Sequence, residues 1–309
     1  MFGLVTIDVE PDDVWRKPRS RSLDNIGQLP RFHDLCRDHG VRPTYLVTWS
    51  VAEDPASAAV IEALLATGDC EVGMHPHMWE IPPLIAKDRM AHAWVAGEYE
   101  TAVLEEKLTN LHGLLSRRFG KITSHRAGRW ALETRQVAIL ERLGIIVDTS
   151  VVPGADMRST GAPDYSNAPL APYRLALDDL CAPGYSGVLE VPCTVKKAIV
   201  EKGWAESRYA KAVLRRLRLD AQWLRAAPSS SHQSLARICE WAAGRLPSLN
   251  MMSHSSEFLA GASPSWPTQS DIEHHFALYR AVFSWWNRHG ITPCTLSEFA
   301  GQREIACER

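Results

Sequence analysis

The sequence predicts an α/β fold in which helices enclose a parallel sheet. Three observations point there. Short apolar runs alternate with amphipathic helical stretches along most of the chain. Helix start and stop residues separate them. Acids, imidazoles and guanidinium groups follow directly on the apolar runs, where parallel α/β folds carry their functional residues.

The elements follow in order. "LVTID" is too short for a helix and reads as a buried strand. A helix around "LPRFHDLCRDHG" closes at Gly40, and "RPTYLVT" is the second strand. Over 54–68 a helix is predicted with Asp54 as N-cap, Pro55 at the first helical position and Gly68 as stop. "CEVGM" is the third strand. The stretch 96–120 forms a long helix with Leu104, Leu108, Leu111 and Leu115 on one face. "KITSH", a helix over 132–144 and the apolar run "IIVDTS" come next. Residues 153–185 are rich in Pro, Gly, Ala, Asp and Tyr and read as loop. "GVLEVPCTV" reads as strand and 201–245 as an Arg-rich helical insertion. The chain then returns to strand "LNMMSH", a helix over 271–290 and a last "ITPCTLSEFA". No internal repeat or linker is visible, so 1–309 is expected to form one catalytic domain.

Composition narrows the function classes. The chain has 309 residues, 45% of them hydrophobic, enough for a large core. A net charge of −2 offers no global positive field, so nucleic acid is not an expected partner. Seven scattered Cys contain no CxxC pair, which argues against a disulfide framework or a structural zinc site. Neither a signal peptide nor a spanning apolar run is visible, so a cytoplasmic location is expected.

Asp8 and Glu10 are two apart and so point to the same side of a strand. Two such carboxylates repel unless a cation lies between them or one holds a proton; a solvated strand end is the alternative. His75 and His77 follow the third strand, with Pro76 fixing the backbone between them. Carboxylate and imidazole donors together suit zinc and similar ions and leave a position for water. A loop whose two histidines bond locally is the alternative. Arg126 could hold a carboxylate ionised, whereas Arg129 reads as a structural salt bridge. His254 could shuttle a proton or be a satisfied core histidine. Asp148 could bond a catalytic histidine or cap a strand. His274 and His275 read as surface.

In this order the motifs resemble the NodB-homology polysaccharide deacetylases, the carbohydrate esterase family 4 group, over nearly the whole chain. "TIDVE", "GDCEVGMHPH", "HRAGRW", "VDTSVVP" and "NMMSHSSE" resemble its five motifs, in the branch that carries DVE, HxHxW and RAGR. The resemblance implies a NodB-like distorted (β/α)7 barrel and one divalent ion, zinc first, with Fe2+, Co2+, Ni2+ or Mn2+ as alternatives. It implies Glu10, His75 and His77 as metal ligands. Asp8 is implied as base, Arg126 as the group orienting it, and His254 as acid tuned by Asp148. Trp79, Arg129 and Trp130 are implied at the substrate. The implied activity is hydrolysis of an N-acetyl amide on a sugar of a surface glycan or its precursor.

The chain departs from the family pattern. Val9 separates the two acids, which leaves the roles of Asp8 and Glu10 exchangeable. The fourth position after His75 is Trp79, so His77 must supply the second imidazole. Gly128 and Arg129 stand where the family has Pro and an aromatic, which implies a pocket unlike a polymer-binding groove. Alternative activities are N-deformylation or cyclic-amide hydrolysis, a non-catalytic glycan-binding relative, and a 3′–5′ exonuclease of the DEDD type. Arg215, Arg216 and Arg218 lie beside Leu214, Leu217 and Trp223, which raises peripheral membrane contact over 208–225. A solvated basic helix face is the alternative.

Overall fold

The computed structural model describes residues 1–14, 22–89, 95–196 and 222–307. Its main sheet is built from β1 (Phe2–Val9), β2 (Thr44–Val47), β3 (Glu71–Met74), β4 (Ser124–His125), β5 (Val147–Asp148), β6 (Tyr173–Arg174), β7 (Leu189–Glu190), β10 (Ser248–His254) and β11 (Thr292–Pro293). The order is β10-β1-β2-β3-β4-β5-β7-β6, with β11 also on β1. Every pairing from β10 to β7 is parallel, and only β6 runs antiparallel. Seven parallel strands thus curl into a distorted (β/α) barrel. Between β7 and β10 a seam replaces the regular ladder. There Asn250 donates from Nδ2 to the Val191 carbonyl at 3.0 Å, and from its backbone to Thr194 Oγ1 at 2.8 Å.

The alternation in β1 sets the two sides of the wall. Val5, Ile7 and Val9 face outward into the main core beneath the helices, with Phe32 and Tyr279. Leu4 faces inward, packing with Val147, Leu189 and Phe299 at the floor of the barrel. Thr6, Asp8 and Glu10 share the side of Leu4 and lie progressively nearer the mouth.

Among the described residues the α-helices are α1 (Leu29–Asp38), α2 (Trp49–Glu53), α3 (Pro55–Leu65), α4 (Thr101–Phe119), α5 (Thr134–Arg142), α6 (His232–Ala242), α7 (Gln269–Arg288) and α8 (Leu296–Cys307). The expected cap of α3 is present: Asp54 accepts from the Ser57 N–H at 2.8 Å, and Pro55 is the first helical residue. The four leucines of the α4 stripe are fully buried. Gly40, Gly68 and Gly144 end their helices at positive φ, a conformation costly for any residue with a Cβ.

Several boundaries differ from expectation. The α4 helix begins at Thr101, after a separate 3-10 turn over Ala96–Glu98. The segment 153–185 carries β6. "GVLEVPCTV" divides between β7 and β8 (Val195–Lys196), the latter paired with β9 (Gln222–Trp223) in a second small sheet. Of the predicted helical insertion, 201–221 lies outside the described residues, as does most of the basic stretch 208–225. Residues 222–231 form β9 and turns, and among the described residues of this stretch only α6 is helical. Among the described residues, no helix is long and apolar enough to cross a membrane.

A buried amine fixes the loop after β3. Lys107 of α4 donates from Nζ to the Ile81 carbonyl at 2.6 Å, the Pro83 carbonyl at 2.8 Å and Asp88 Oδ2 at 2.9 Å. The Tyr99 hydroxyl donates to the other oxygen of Asp88. Lys107→Met would strand the Asp88 carboxylate, so a loss of about 3–5 kcal/mol is expected in urea unfolding. A Lys107→Met/Asp88→Leu double variant should recover part of it.

Candidate metal centre

Four strand ends converge at the barrel mouth. The last residue of β1 leads into Glu10, β3 into His75 and His77, β4 into Arg126, and β10 ends on His254. Asp8 and His254 are direct partners across β1 and β10. All six side chains are buried.

Glu10, His75 and His77 form a cluster whose donor atoms lie within 4.8 Å of one another. Glu10 Oε2 is 3.3 Å from His77 Nε2 and 3.8 Å from His75 Nε2. His75 Nδ1 lies 2.9 Å from the Arg126 carbonyl. A carbonyl only accepts, so Nδ1 carries the proton and Nε2 presents its lone pair to the cluster. Burial pushes the His75 pKa down to about 4 against the pull of Asp8, so the ring is neutral near pH 7. Burial also raises the Glu10 pKa to about 7, against the opposing pull of His254 and His75. Glu10 Oε1 is buried with no hydrogen-bond partner. Two imidazoles, that of His75 neutral, facing a buried carboxylate with an unsatisfied oxygen fit a divalent cation.

Asp8 differs from Glu10 in its partners. The Arg126 guanidinium is fully buried and donates to Asp8 Oδ1 at 2.6 Å, Thr6 Oγ1 at 2.6 Å and the Thr149 carbonyl at 3.0 Å. Burial raises the Asp8 pKa, but Arg126, His75 and His254 outweigh it and hold the group below the usual carboxylate range. Its second oxygen lies 3.8 Å from His75 Nε2 and 3.7 Å from His254 Nε2. Burial lowers the His254 pKa, but the Glu10 and Glu257 carboxylates outweigh it and the net shift is upward.

The structure corrects the partner expected for His254. Asp148 lies outside the barrel wall, because Val147 on the same strand faces inward. It bonds His125 Nδ1 at 2.5 Å, in register with it on β4, and also Ser150. On the Nδ1 side of His254 the carboxylate is Glu257, three residues on in a 3-10 turn, with Oε1 at 3.9 Å from Nδ1. The stretch "SHSSE" contains both residues, but only the turn brings them together. Nothing in the sequence singles out Arg225, which bonds Glu257 Oε1 at 2.5 Å. His275 is also not on the surface: it is fully buried, edge-on to Trp266 at 4.3 Å.

The residues expected at the substrate are partly exposed around this mouth. Trp79 stacks on His77 with ring centroids 4.4 Å apart. Trp130 covers the Arg126 guanidinium at 4.9 Å and meets Trp223 edge-on at 5.9 Å. Arg129 donates to the Thr160 carbonyl at 3.1 Å, so it makes no carboxylate salt bridge through this contact. Gly128 has no room for a side chain: a Cβ there would lie 2.4 Å from the Pro76 carbonyl oxygen and 2.8 Å from His77 Cδ2. Gly128→Ala is therefore expected to cost about 1–3 kcal/mol by displacing the His77 loop. Calorimetric metal titration should show weakened binding in the same variant.

A candidate glycoside hydrolase/deacetylase from Parabacteroides distasonis superposes with a TM-score of 0.65 at 13% identity, over 97% of this chain and 70% of that one. A candidate polysaccharide deacetylase from Mycobacterium smegmatis gives 0.53 at 14%, over 98% and 90%. The fold is that of the polysaccharide deacetylases. No protein-family model and no curated protein matches the chain. In this polysaccharide-deacetylase fold the clustered groups sit at the strand C-termini, on the functional face of a parallel barrel.

Proposed function

We propose that the protein is a metal-dependent amide hydrolase that removes the acetyl group from an N-acetylated sugar of a surface glycan or its precursor. The reading rests on one juxtaposition. A buried carboxylate held by Arg126 and an imidazole face each other at 3.7 Å, beside a Glu-His-His cluster that fits a divalent ion.

Glu10, His75 and His77 would hold the ion, which when bound acidifies water and polarises the amide carbonyl. Asp8 acts as base. Arg126 occupies Oδ1, which leaves Oδ2 to accept the proton of the attacking water. His254 acts as acid from Nε2, the nitrogen on the Asp8 side, and delivers a proton to the leaving nitrogen. Water adds across the C–N bond, giving a carboxylate and an amine. Trp79 and Trp130 offer partly exposed apolar faces to the C–H side of a sugar ring.

The test is release of acetate and formate from a panel of N-acyl sugars, with the protein supplied in turn with zinc, cobalt, nickel, manganese and iron. Acetate release from an N-acetyl sugar is the expected result. Formate alone would assign N-deformylation. Retention of metal with no hydrolysis of any N-acyl compound would assign a binding role. Release of nucleotides from single-stranded DNA with magnesium would replace the proposal with an exonuclease.

A further inference from the structure

We propose that Trp223 is a sugar-binding residue, the wall of an aromatic corner that holds the ring bearing the N-acyl group. The proposal deepens the reading of the site as an amide hydrolase acting on a sugar. It rests on that reading for the bond that is cut, and not for the binding itself.

Trp130 supplies the floor of the corner. Its ring centroid lies 4.9 Å from Cζ of Arg126. Arg126 is fully buried and Trp130 is partly exposed, so the indole face away from the guanidinium is the one turned outward. The backbone is bent to place it there. Arg129 and Trp130 take successive left-handed conformations, at φ 58° and 62°, which are costly for residues with a Cβ. Two bonds hold Trp130 in place. The Tyr165 hydroxyl donates to its carbonyl at 2.7 Å, and its own N–H donates to the Ala127 carbonyl at 3.0 Å. Strain of this kind collects at ligand-binding positions.

Trp223 supplies the wall. It is partly exposed and stands at 83° to Trp130, with ring centroids 5.9 Å apart. Two perpendicular indoles offer apolar surface on two sides, which suits the C–H face and one edge of a sugar ring. Trp223 reaches the mouth on β9, where it pairs with Val195 of β8. The next turn ties it to the acid side of the site. The Arg225 N–H donates to the Trp223 carbonyl at 2.9 Å, and Arg225 Nη2 lies 3.3 Å from His254 Nδ1. Trp79, in contrast, stacks on His77 and so borders the Glu-His-His cluster. An amide with its carbonyl at that cluster and its nitrogen toward His254 carries the sugar beyond the nitrogen, against Trp130 and Trp223.

The experiment is an NMR titration of the full chain, loaded with zinc, with glucosamine, galactosamine and mannosamine, the amines left when N-acetyl hexosamines lose acetate. Indole N–H signals are followed, and that of Trp223 is assigned by its absence from Trp223→Phe. In wild type the Trp223 and Trp130 signals should move with at least one of these sugars. Trp223→Leu keeps apolar bulk against the core but no ring, and should weaken that binding about 3- to 10-fold at unchanged zinc content. Trp223→Phe keeps a ring and should weaken it less than about twofold. On the matching N-acetyl sugar, Trp223→Leu should raise KM with kcat changed less than about twofold. An unmoved Trp223 signal, or wild-type affinity in Trp223→Leu, overturns the proposal; the wild-type titration decides even if the Leu variant does not fold. Trp223-dependent binding without hydrolysis would keep the proposal and remove the hydrolase reading. Hydrolysis with an unchanged KM in Trp223→Leu would do the reverse.

Discussion

Asp8→Asn is expected to lower kcat by about 10²- to 10⁴-fold while leaving metal binding intact. The substitution preserves shape and keeps an oxygen for Arg126, but Asn accepts no proton at neutral pH. Arg126 and its bonds to Thr6 and Thr149 hold the side chain in place, so the effect should fall on kcat with little change in KM. Steady-state kinetics on the best N-acyl substrate would measure it. Retained activity within about tenfold would move the base elsewhere, with Glu10 as the first alternative. The pair is not symmetric: Arg126 keeps Asp8 ionised well below neutrality, whereas burial holds Glu10 near 7.

The second large effect is loss of the ion. His75→Ala and His77→Ala should each lower activity to background, because each removes one of three ligands and leaves Glu10 buried against a single imidazole. The metal-free protein also has a defined pH response. The contribution of Glu10 to stability is fully present below about 4.5 and is lost progressively between about 4.5 and 7, where the folded chain keeps a proton that the unfolded chain has released. Above about 7 the folded carboxylate is ionised as well and that contribution is gone. Binding a cation displaces the same proton, so affinity should fall as pH drops below 7. His75 titrates near 4 and stays neutral throughout this window. The rise in melting temperature on adding zinc should therefore be larger near pH 8 than near pH 6. The rise should vanish in His75→Ala. An equal rise at both pH values would remove Glu10 from the ligand set.

Much of this was legible in the sequence because it depends on local rules. The period-2 pattern of β1 places Asp8 and Glu10 on one side, and the strand ends collect the polar groups at one mouth. Cap and stop residues fixed α3 from Asp54 to Gly68 nearly to the residue. The failures are of another kind. Whether Asp148 faces in or out depends on the parity of a two-residue strand, set by Val147 packing on the barrel floor. Glu257 meets His254 only because a 3-10 turn follows β10. Arg225 acts across 32 residues on Glu257, from the stretch 208–225, read as helical, of which only residues 222–225, in β9 and the turn after it, are described. His275 sits in a polar-looking helix start, yet tertiary packing against Phe258 and Trp266 buries it. Local pattern cannot report contacts that the closed barrel creates.

The most direct test is a metal count on two conservative variants purified side by side, Asp8→Asn and Glu10→Gln. The division of roles drawn from Arg126 on one acid and the two imidazoles on the other predicts one divalent ion per chain in Asp8→Asn and a metal-free Glu10→Gln. Metal retained by Glu10→Gln and lost from Asp8→Asn would contradict it.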